Sequence, residues 1–456
     1  MAPVWTTVAD YVHSLGLDAY LVGGAVRDEL LGKTSRELDF VVPGVGHAEL
    51  RAALEPHGKV EDLVVADQRV GVRLLPRDKE ARRLQPAGIE FTPPRVERST
   101  GPGRHDFEIV ADAGISLEED MARRDFTINA IAKRLETGEI LDPLGGREDL
   151  ERGVLRTTGP ASFRDDPLRI VRGLRFVSQL GVDPDEETLQ QMRDWAPRIE
   201  HVSGERIGGG LAADGMGELS KLLLGAHPAK ALRLARDTGA LVAVLPELAP
   251  ALGYVQRSGR QHLTLDEHVF AVVQAAADAG APLEVRLTAL LHDVGKPAAE
   301  REGGDHAELG AVAAGQALRR LRYPTRLRDA VVRLVREHPF PLPDEPVPVD
   351  ARRFLARHGE ERARNLLAHR AADLSGKTVP PEEWDRLERF RELVEQERTR
   401  PHRLADLAVD GTDLIEIGFS EGPRLGRILQ SLLAEVVEEP ERNDRERLLG
   451  RARELA

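Results

Sequence analysis

The spacing of apolar and polar positions divides this chain into a short mixed region and a long helical one. Ala19 to Val22 is an apolar run that ends in Gly23-Gly24, Ala25 to Leu31 carries a helical pattern, and Glu37 to Val42 (ELDFVV) reads as a second strand. Strand, glycine turn, helix and strand open an α/β unit. Residues 76 to 106 hold prolines, glycines and many arginines (Arg77, Arg82, Arg83, Arg95, Arg98, Arg104) with little periodicity, which predicts a long, partly mobile basic loop. From about Asp149 the pattern is almost wholly helical, with breaks at Ala226-His227-Pro228 and Pro246 to Pro250. A further break at Asp410-Gly411-Thr412 precedes a charged helix from Pro440 to Ala456, and no internal repeat stands out. The expected architecture is α+β and multidomain: an α/β head over 1–148, a helical neck over 149–230, a helical body over 231–395 and a helical tail over 396–456.

A chain of 456 residues exceeds one compact core, so two to four packed units are expected. No apolar run approaches the length of a membrane span, and Met1 to Ala19 lacks the order of a signal peptide. A soluble, cytoplasmic protein with no membrane partner is the expectation. Cysteine is absent, which excludes disulfides, thiolate metal sites and a cysteine nucleophile. Any metal must sit on carboxylate, imidazole or water. The net charge of −13 argues against coating nucleic acid by overall charge but says nothing of local fields.

Three clusters carry chemistry. In GGAVRD (Gly23 to Asp28) two glycines precede a helix start, so backbone N–H groups can approach a triphosphate, with Arg27 adding a contact. A tight turn is the bland alternative. Glu37 and Asp39 lie two apart on the predicted strand, so both carboxylates emerge on one face, where they suit magnesium bound to substrate phosphates. In a two-metal arrangement one ion activates the attacking hydroxyl and the other supports the leaving pyrophosphate. The second cluster, Arg123, Arg124, Asp125 and Asn129 after Glu118-Glu119-Asp120, could grip phosphates and ribose hydroxyls, or form a charged helix start. The third runs Asp165-Asp166-Pro167-Leu168-Arg169 with Arg172 and Arg175. Asp166 and Arg169 are three apart, hence on one helical face, and could read a base by accepting and donating hydrogen bonds, or form an ordinary ion pair. Pro167 fits a first-turn position.

Together these stretches resemble the class II tRNA nucleotidyltransferases, the bacterial CCA-adding enzymes. LVGGAVRDELLG with ELDFVV, EEDMARRDFTINAIA, DPLGGREDL, FRDDPLRIVRGLRF and VSGERI occur in the family's order, and similarity extends to DLAVDGTDL and GPRLG near the C-terminus. The resemblance implies a polymerase beta-like head and addition of CCA to tRNA from CTP and ATP. It implies Glu37 and Asp39 as Mg²⁺ ligands, Arg123, Arg124, Asp125 and Asn129 for ribose and phosphate, and Asp166 and Arg169 as an amino-acid template for base selection in the neck. Two departures are visible: Glu37 stands where the family usually has aspartate, and Asp165 where it usually has glutamate.

Downstream, His268, His292-Asp293 in LLHDVGKP, His306, His338 and Asp373 resemble the HD domain of metal-dependent phosphohydrolases, a domain many members of this family carry in the body. Such a domain hydrolyses 2′,3′-cyclic phosphates or nucleotide monoesters, or persists as an RNA-binding scaffold. Imidazole with carboxylate favours a transition metal such as Ni²⁺, Mn²⁺ or Fe²⁺. His262 and His369 are read as structural. Arg319, Arg320, Arg322, Arg326 and Arg328 add local basic surface for the tRNA acceptor end, or pair with nearby acids. The rivals are an HD phosphohydrolase with a regulatory nucleotide-binding head, a non-catalytic RNA-binding protein, a poly(A) polymerase, and an enzyme adding only CC or only A. The long Arg-rich segment PPRVERSTGPGR favours full CCA addition.

Overall fold

The computed structural model describes residues 7–35, 38–65, 68–99, 107–111, 113–209, 216–256, 260 and 262–455. It separates into two compact units, Met1–Pro246 with Arg320–Tyr323, and Glu247–Arg319 with Pro324–Ala456. Among the described residues no helix is long and apolar enough to cross a membrane.

The first unit opens with a mixed sheet. Its strands are β1 Tyr20–Val22, β2 Asp39–Val41, β3 Gly58–Val65, β4 Gln68–Pro76 and β5 Ile89–Thr92. They are followed by β6 Arg95–Ser99, β7 Phe107–Ala111, β8 Ala132–Arg134 and β9 Ile140–Leu141. Among the described residues seven of these join in the order β3-β4-β5-β2-β1-β8-β9, while β6 and β7 form a separate hairpin. Only the β2–β5 pair is parallel within the large sheet.

Residue alternation explains why both faces are covered. Leu21 and Phe40 enter one core with Leu50, Leu54 and Phe91, where the Phe40 and Phe91 rings stack at 5.6 Å. Their neighbours Val22 and Val41 turn to the other face and meet Leu117 and Met121 of the helix Leu117–Ala122. Asp39, two residues before Val41, lies on that same face.

The expected loop over 76–106 is corrected by the structure. Lys79–Leu84 is a helix capped by the Asp78 side chain, β5 is a central strand, and Arg95–Ser99 is β6. The prolines misled because Pro86, Pro93 and Pro94 stand between elements, where a missing N–H costs nothing. The Ile89-Glu90-Phe91-Thr92 alternation was the overlooked signal, and Arg73 of β4 bonds Glu90 across the pair at 2.5 Å. Arg83 pairs with Glu80, Arg77 donates to the Pro56 carbonyl, and Arg104 falls outside the described residues.

Helix Leu168–Leu180 belongs to the first unit and buries Ile170, Val171, Leu174 and Val177. Gly173 lets Phe126 and Met192 approach it, since a Cβ there would lie 2.8 Å from the Phe126 ring. The turn Arg320–Tyr323 also belongs to this unit: the Tyr323 hydroxyl bonds Ser220 Oγ at 2.9 Å, and Gly209 N–H donates to the Leu321 carbonyl.

The second unit is helical. Helices Leu265–Asp278, Leu283–Leu291, His306–Arg320, Thr325–Glu337 and Glu360–Ser375 form its body, and Val409, Leu414, Leu432, Val436 and Leu448 form a separate core in the tail. Arg352 is buried and donates to the Val437 and Glu438 carbonyls, closing the C-terminus of helix Pro423–Glu438. The terminal charged helix begins at Arg445, after a short turn at Pro440–Arg442.

Candidate active site and metal centre

Strand register assembles the first site. Val22 pairs with Asp39 on one side and Ala132 on the other, so the Gly23 turn, the exposed Asp39 carboxylate and the Arg123–Asn129 segment meet at one end of the sheet. Gly23 has φ +70°, a conformation that favours glycine, and a Cβ there would press on the Arg124 guanidinium at 2.7 Å. The observed helix, Gly24–Leu30, starts directly after it.

Around this corner lies a cleft of about 620 Å³. It is lined by Gly23, Gly24, Arg27, Asp39, Arg123, Arg124, Asp125, Asn129, Asp166, Arg169, Arg172 and Arg175, all singled out in the sequence. Glu37 lies outside the described residues. Ala25, Asp28, Ser35, Arg95, Leu168, Phe176, Arg206, Glu218 and Lys221 complete the wall. Eight arginines and Lys221 face Asp28, Asp39, Asp125, Asp166 and Glu218, so a strongly cationic cleft sits in an acidic chain. A triphosphate is the matching ligand class.

A hydrogen-bond chain stiffens the floor. Arg27 Nη1 donates to Asn129 Oδ1 at 2.7 Å, Asn129 Nδ2 to Asp125 Oδ1 at 3.0 Å, and Arg172 Nε to Asp125 Oδ2 at 2.8 Å. Burial pushes the Asp125 carboxyl up, but the Arg172 guanidinium and the Asn129 amide outweigh it and hold it well below the usual carboxylate range. Asp125 therefore supports its neighbours as a permanent anion and is committed to them. Arg175 lies 4.3 Å over the Phe176 ring and 3.2 Å from Glu218, in a pocket whose burial lowers its pKa.

Two residues named in the sequence without a role support this site. Asp120 is fully buried and accepts from Arg123 Nη2 at 2.7 Å, Arg124 Nη2 at 3.1 Å and the Arg95 backbone N–H at 3.1 Å. Its spacing of three and four from the two arginines on a helix end was the available signal. Arg206, within VSGERI, donates to Asp166 Oδ2 at 2.7 Å.

The placement of Asp166 and Arg169 on one helical face is corrected. Asp166 is extended (φ −144°, ψ 100°) and the helix begins at Leu168, whose N–H the Asp166 side chain accepts. Proline at 167 forbids its predecessor the helical region. The two side chains still reach the same cleft, by different routes.

The second site lies in the body. His268 comes from helix Leu265–Asp278, His292 and Asp293 follow helix Leu283–Leu291, and His306 opens the next long helix. His338 ends helix Thr325–Glu337, and Asp373 stands on Glu360–Ser375. Asp293 Oδ2 lies 3.1 Å from His292 Nε2 and 3.6 Å from His268 Nε2, while Oδ1 lies 3.7 Å from both His306 and His338 Nε2. Asp293 thus belongs to two overlapping triads with metal-ligand spacing.

The Nδ1 atoms of His268, His292 and His338 contact the carbonyls of Gly376, Ala289 and Val335 at 3.1, 2.9 and 2.7 Å. Donation to these carbonyls leaves each Nε2 lone pair facing inward, the tautomer a metal needs. Among the described residues the buried Nε2 atoms of His268, His292 and His369 meet no partner with hydrogen-bond geometry, although Asp293 Oδ2 lies 3.1 Å from that of His292. Burial and the neighbouring imidazole push His338 down to about 4, so it stays neutral. His369, expected to be structural, is buried with its ring 4.9 Å from His292, four residues before Asp373 on the same helix. It lies outside both metal-spaced triads among the described residues. His262 stays apart, bonding Thr378 Oγ1.

Three family models match in succession: the poly A polymerase head domain over 19–156, the probable RNA and SrmB-binding site of polymerase A over 181–252, and the HD domain over 265–407. The chain is 33% identical over 437 residues to the multifunctional CCA protein of Xanthomonas campestris pv. campestris, covering 91% of this chain and 90% of that one. It is 37% identical over 331 residues to the multifunctional CCA protein of Nitrosococcus oceani, covering 71% and 74%. The crystal structure of the Bacillus stearothermophilus CCA-adding enzyme in complex with CTP matches with a TM-score of 0.67 at 29% identity, over 100% of this chain and 98% of that one. The Thermotoga maritima CCA-adding enzyme complexed with tRNA matches in fold, with a TM-score of 0.58 at 19% identity over 98% and 93%.

Proposed function

The chain belongs to the bacterial multifunctional CCA-adding tRNA nucleotidyltransferases, and from that premise we propose how its residues share the work. It adds CCA to the tRNA 3′ end from CTP and ATP, a cytoplasmic maturation and repair step in this reading. The observation that carries the assignment of residues is the single cationic cleft that joins Asp39, the Gly23 turn and the Asp166–Arg169 pair.

The exposed carboxylate of Asp39, with Glu37 on sequence grounds, fits Mg²⁺, whose bound chemistry is to acidify the primer hydroxyl and neutralise phosphate charge. The backbone at Gly23 and Gly24 lies against the triphosphate, and Arg123 and Arg124 take its oxygens. Asp125 and Asn129 hold the floor of the cleft against the ribose. The 3′ hydroxyl attacks the α-phosphate, the bond to the β-phosphate breaks, and pyrophosphate leaves.

Asp166 and Arg169 select the base. Arg169 Nη1 donates to Ser162 Oγ and the Arg124 carbonyl, and Nη2 to the Arg123 carbonyl. Of its five N–H groups, Nε–H and one on Nη2 remain. Two donors beside a carboxylate acceptor match the edge of cytosine, with its acceptors N3 and O2 and its amino donor. Adenine fits the same pattern through N1 and its amino group, while uracil and guanine oppose it with N–H donors and carbonyls.

Incorporation of labelled CTP and ATP into tRNA ending before CCA, after CC, or complete tests this. Wild type should add C, C and then A, and Asp166→Ala should lose at least about tenfold in preference for CTP over UTP. Unchanged preference would remove Asp166 from base reading.

For the HD centre, the histidine and aspartate set fits a transition metal such as Ni²⁺, Mn²⁺ or Fe²⁺, and we assign it hydrolysis of phosphate esters or 2′,3′-cyclic phosphates. Lys296 Nζ, 2.6 Å from Asp293 Oδ2, and Lys377 Nζ, 2.5 Å from Asp373 Oδ2, balance the two carboxylates. His292→Ala is expected to lose stoichiometric metal by elemental analysis and to abolish this hydrolysis, while CCA addition stays within about twofold of wild type. Metal retained at full stoichiometry would contradict the assignment.

A further inference from the structure

The base-reading pair is held by two other side chains, and the two supports are separate. Asp166 is extended and projects from the chain just before helix Leu168–Leu180. Arg206 grips both of its oxygens, with Nη2 to Oδ2 at 2.7 Å and Nη1 to Oδ1 at 3.4 Å. Arg206 stands on a π-helical turn, Glu205–Gly209, an uncommon geometry that recurs at functional sites.

That turn is fixed from behind. Gly209 N–H donates to the Leu321 carbonyl at 2.9 Å, and Ser220 Oγ donates to the Gly208 carbonyl. A Cβ on Gly209 would lie 1.9 Å from the Arg322 carbonyl oxygen, so the contact is backbone against backbone.

Arg169 has a different support. Ser162 is buried; its Oγ donates to the Asp125 carbonyl at 3.2 Å and accepts from Arg169 Nη1 at 3.1 Å. Asp165, adjacent to Asp166, takes no part: its carboxylate accepts from Arg164. Neither support belongs to the other's network.

We propose that Arg206 and Ser162 are the positioning residues for nucleotide choice, Arg206 aiming the Asp166 carboxylate and Ser162 aiming the Arg169 guanidinium, each acting independently. The inference rests on Asp166 and Arg169 as base readers. A side chain that swings freely still accepts or donates, but it no longer penalises a base of the wrong pattern. Loss of aim therefore lowers discrimination more than turnover.

The test measures kcat and KM for CTP and UTP on tRNA lacking CCA, and for ATP and GTP on tRNA ending in CC. The proteins are wild type, Ser162→Ala, Arg206→Lys, their double variant and Asp166→Ala, each checked by circular dichroism. Each single substitution is expected to lower the correct-to-incorrect ratio of kcat/KM about tenfold, as loss of one charge-assisted hydrogen bond does. At saturating CTP, kcat of Ser162→Ala should change less than about threefold, and the two losses of discrimination should multiply in the double variant. Equal losses for correct and incorrect nucleotides, with the ratio unchanged, would show a merely structural role and overturn the proposal. A double variant no worse than either single would overturn the independence of the supports. If Asp166→Ala itself kept wild-type discrimination, the base-reading assignment would fall and take this inference with it. If Asp166→Ala lost it while both positioning variants kept it, only this inference would fall.

Discussion

Replacing Asp39 by asparagine is expected to slow nucleotide incorporation about 10³-fold, because several kcal/mol of transition-state charge stabilisation depend on a metal-bearing carboxylate. Asparagine keeps the volume and removes the charge. The strand survives, since β2 is held by backbone register to β1 and β5, with Asp39 opposite Val22 and Glu90. The side chain is exposed, so no packing is lost. Single-turnover incorporation of labelled CTP, with a magnesium titration, measures the effect. A loss below tenfold would take Asp39 out of the metal site, and metal content at His292 and Asp293 should not move.

The second large effect belongs to Asp120. Asp120→Ala leaves Arg123 and Arg124 without their shared buried partner and is expected to destabilise the head by about 3–5 kcal/mol. It should also raise the KM for CTP and ATP, since both arms lose the anchor they share. Denaturant unfolding checks the first and initial rates the second. Burial pushes this carboxyl up, but Arg123 and Arg124 outweigh burial and hold it below its ordinary value. Its stabilisation is then full above the unfolded value of about 3.9 and lost as pH falls through the lower folded value. Asp125, shifted the same way, adds to that loss. Acid unfolding of Asp120→Ala should therefore be shallower below about pH 4 than that of wild type. Identical pH profiles would show that the ion pairs contribute nothing.

The residues that line the cleft were legible in the sequence because each set is local: Gly23 to Arg27, Arg123 to Asn129 and Asp166 to Arg175 each lie close together along the chain. Their partners were not, because they act across the fold. Arg206 meets Asp166 over forty positions, and Glu218 meets Arg175 over forty-three. No local period marks such a pair. The segment over 76–99 was misjudged because proline and arginine density hid a four-residue strand whose partners, β2 and β4, lie elsewhere in the chain. His369, read as structural, is buried beside the metal centre with its ring 4.9 Å from His292, but it belongs to neither metal-spaced triad among the described residues.

The turn Arg320–Tyr323 is packed with the first unit although the chain reaches it only after Glu247–Arg319 has left for the second. During synthesis the neck must therefore wait. At about 5–20 residues per second, the ribosome needs several seconds after Pro246 before Tyr323 is made and can close on Ser220. Until then Gly208 and Gly209 face no turn, and the platform under Arg206 lacks its backing. A chain ending at Pro246 lacks the Arg320–Tyr323 segment that backs Gly208 and Gly209, so on the proposal above it is expected to discriminate nucleotides less well than the full chain.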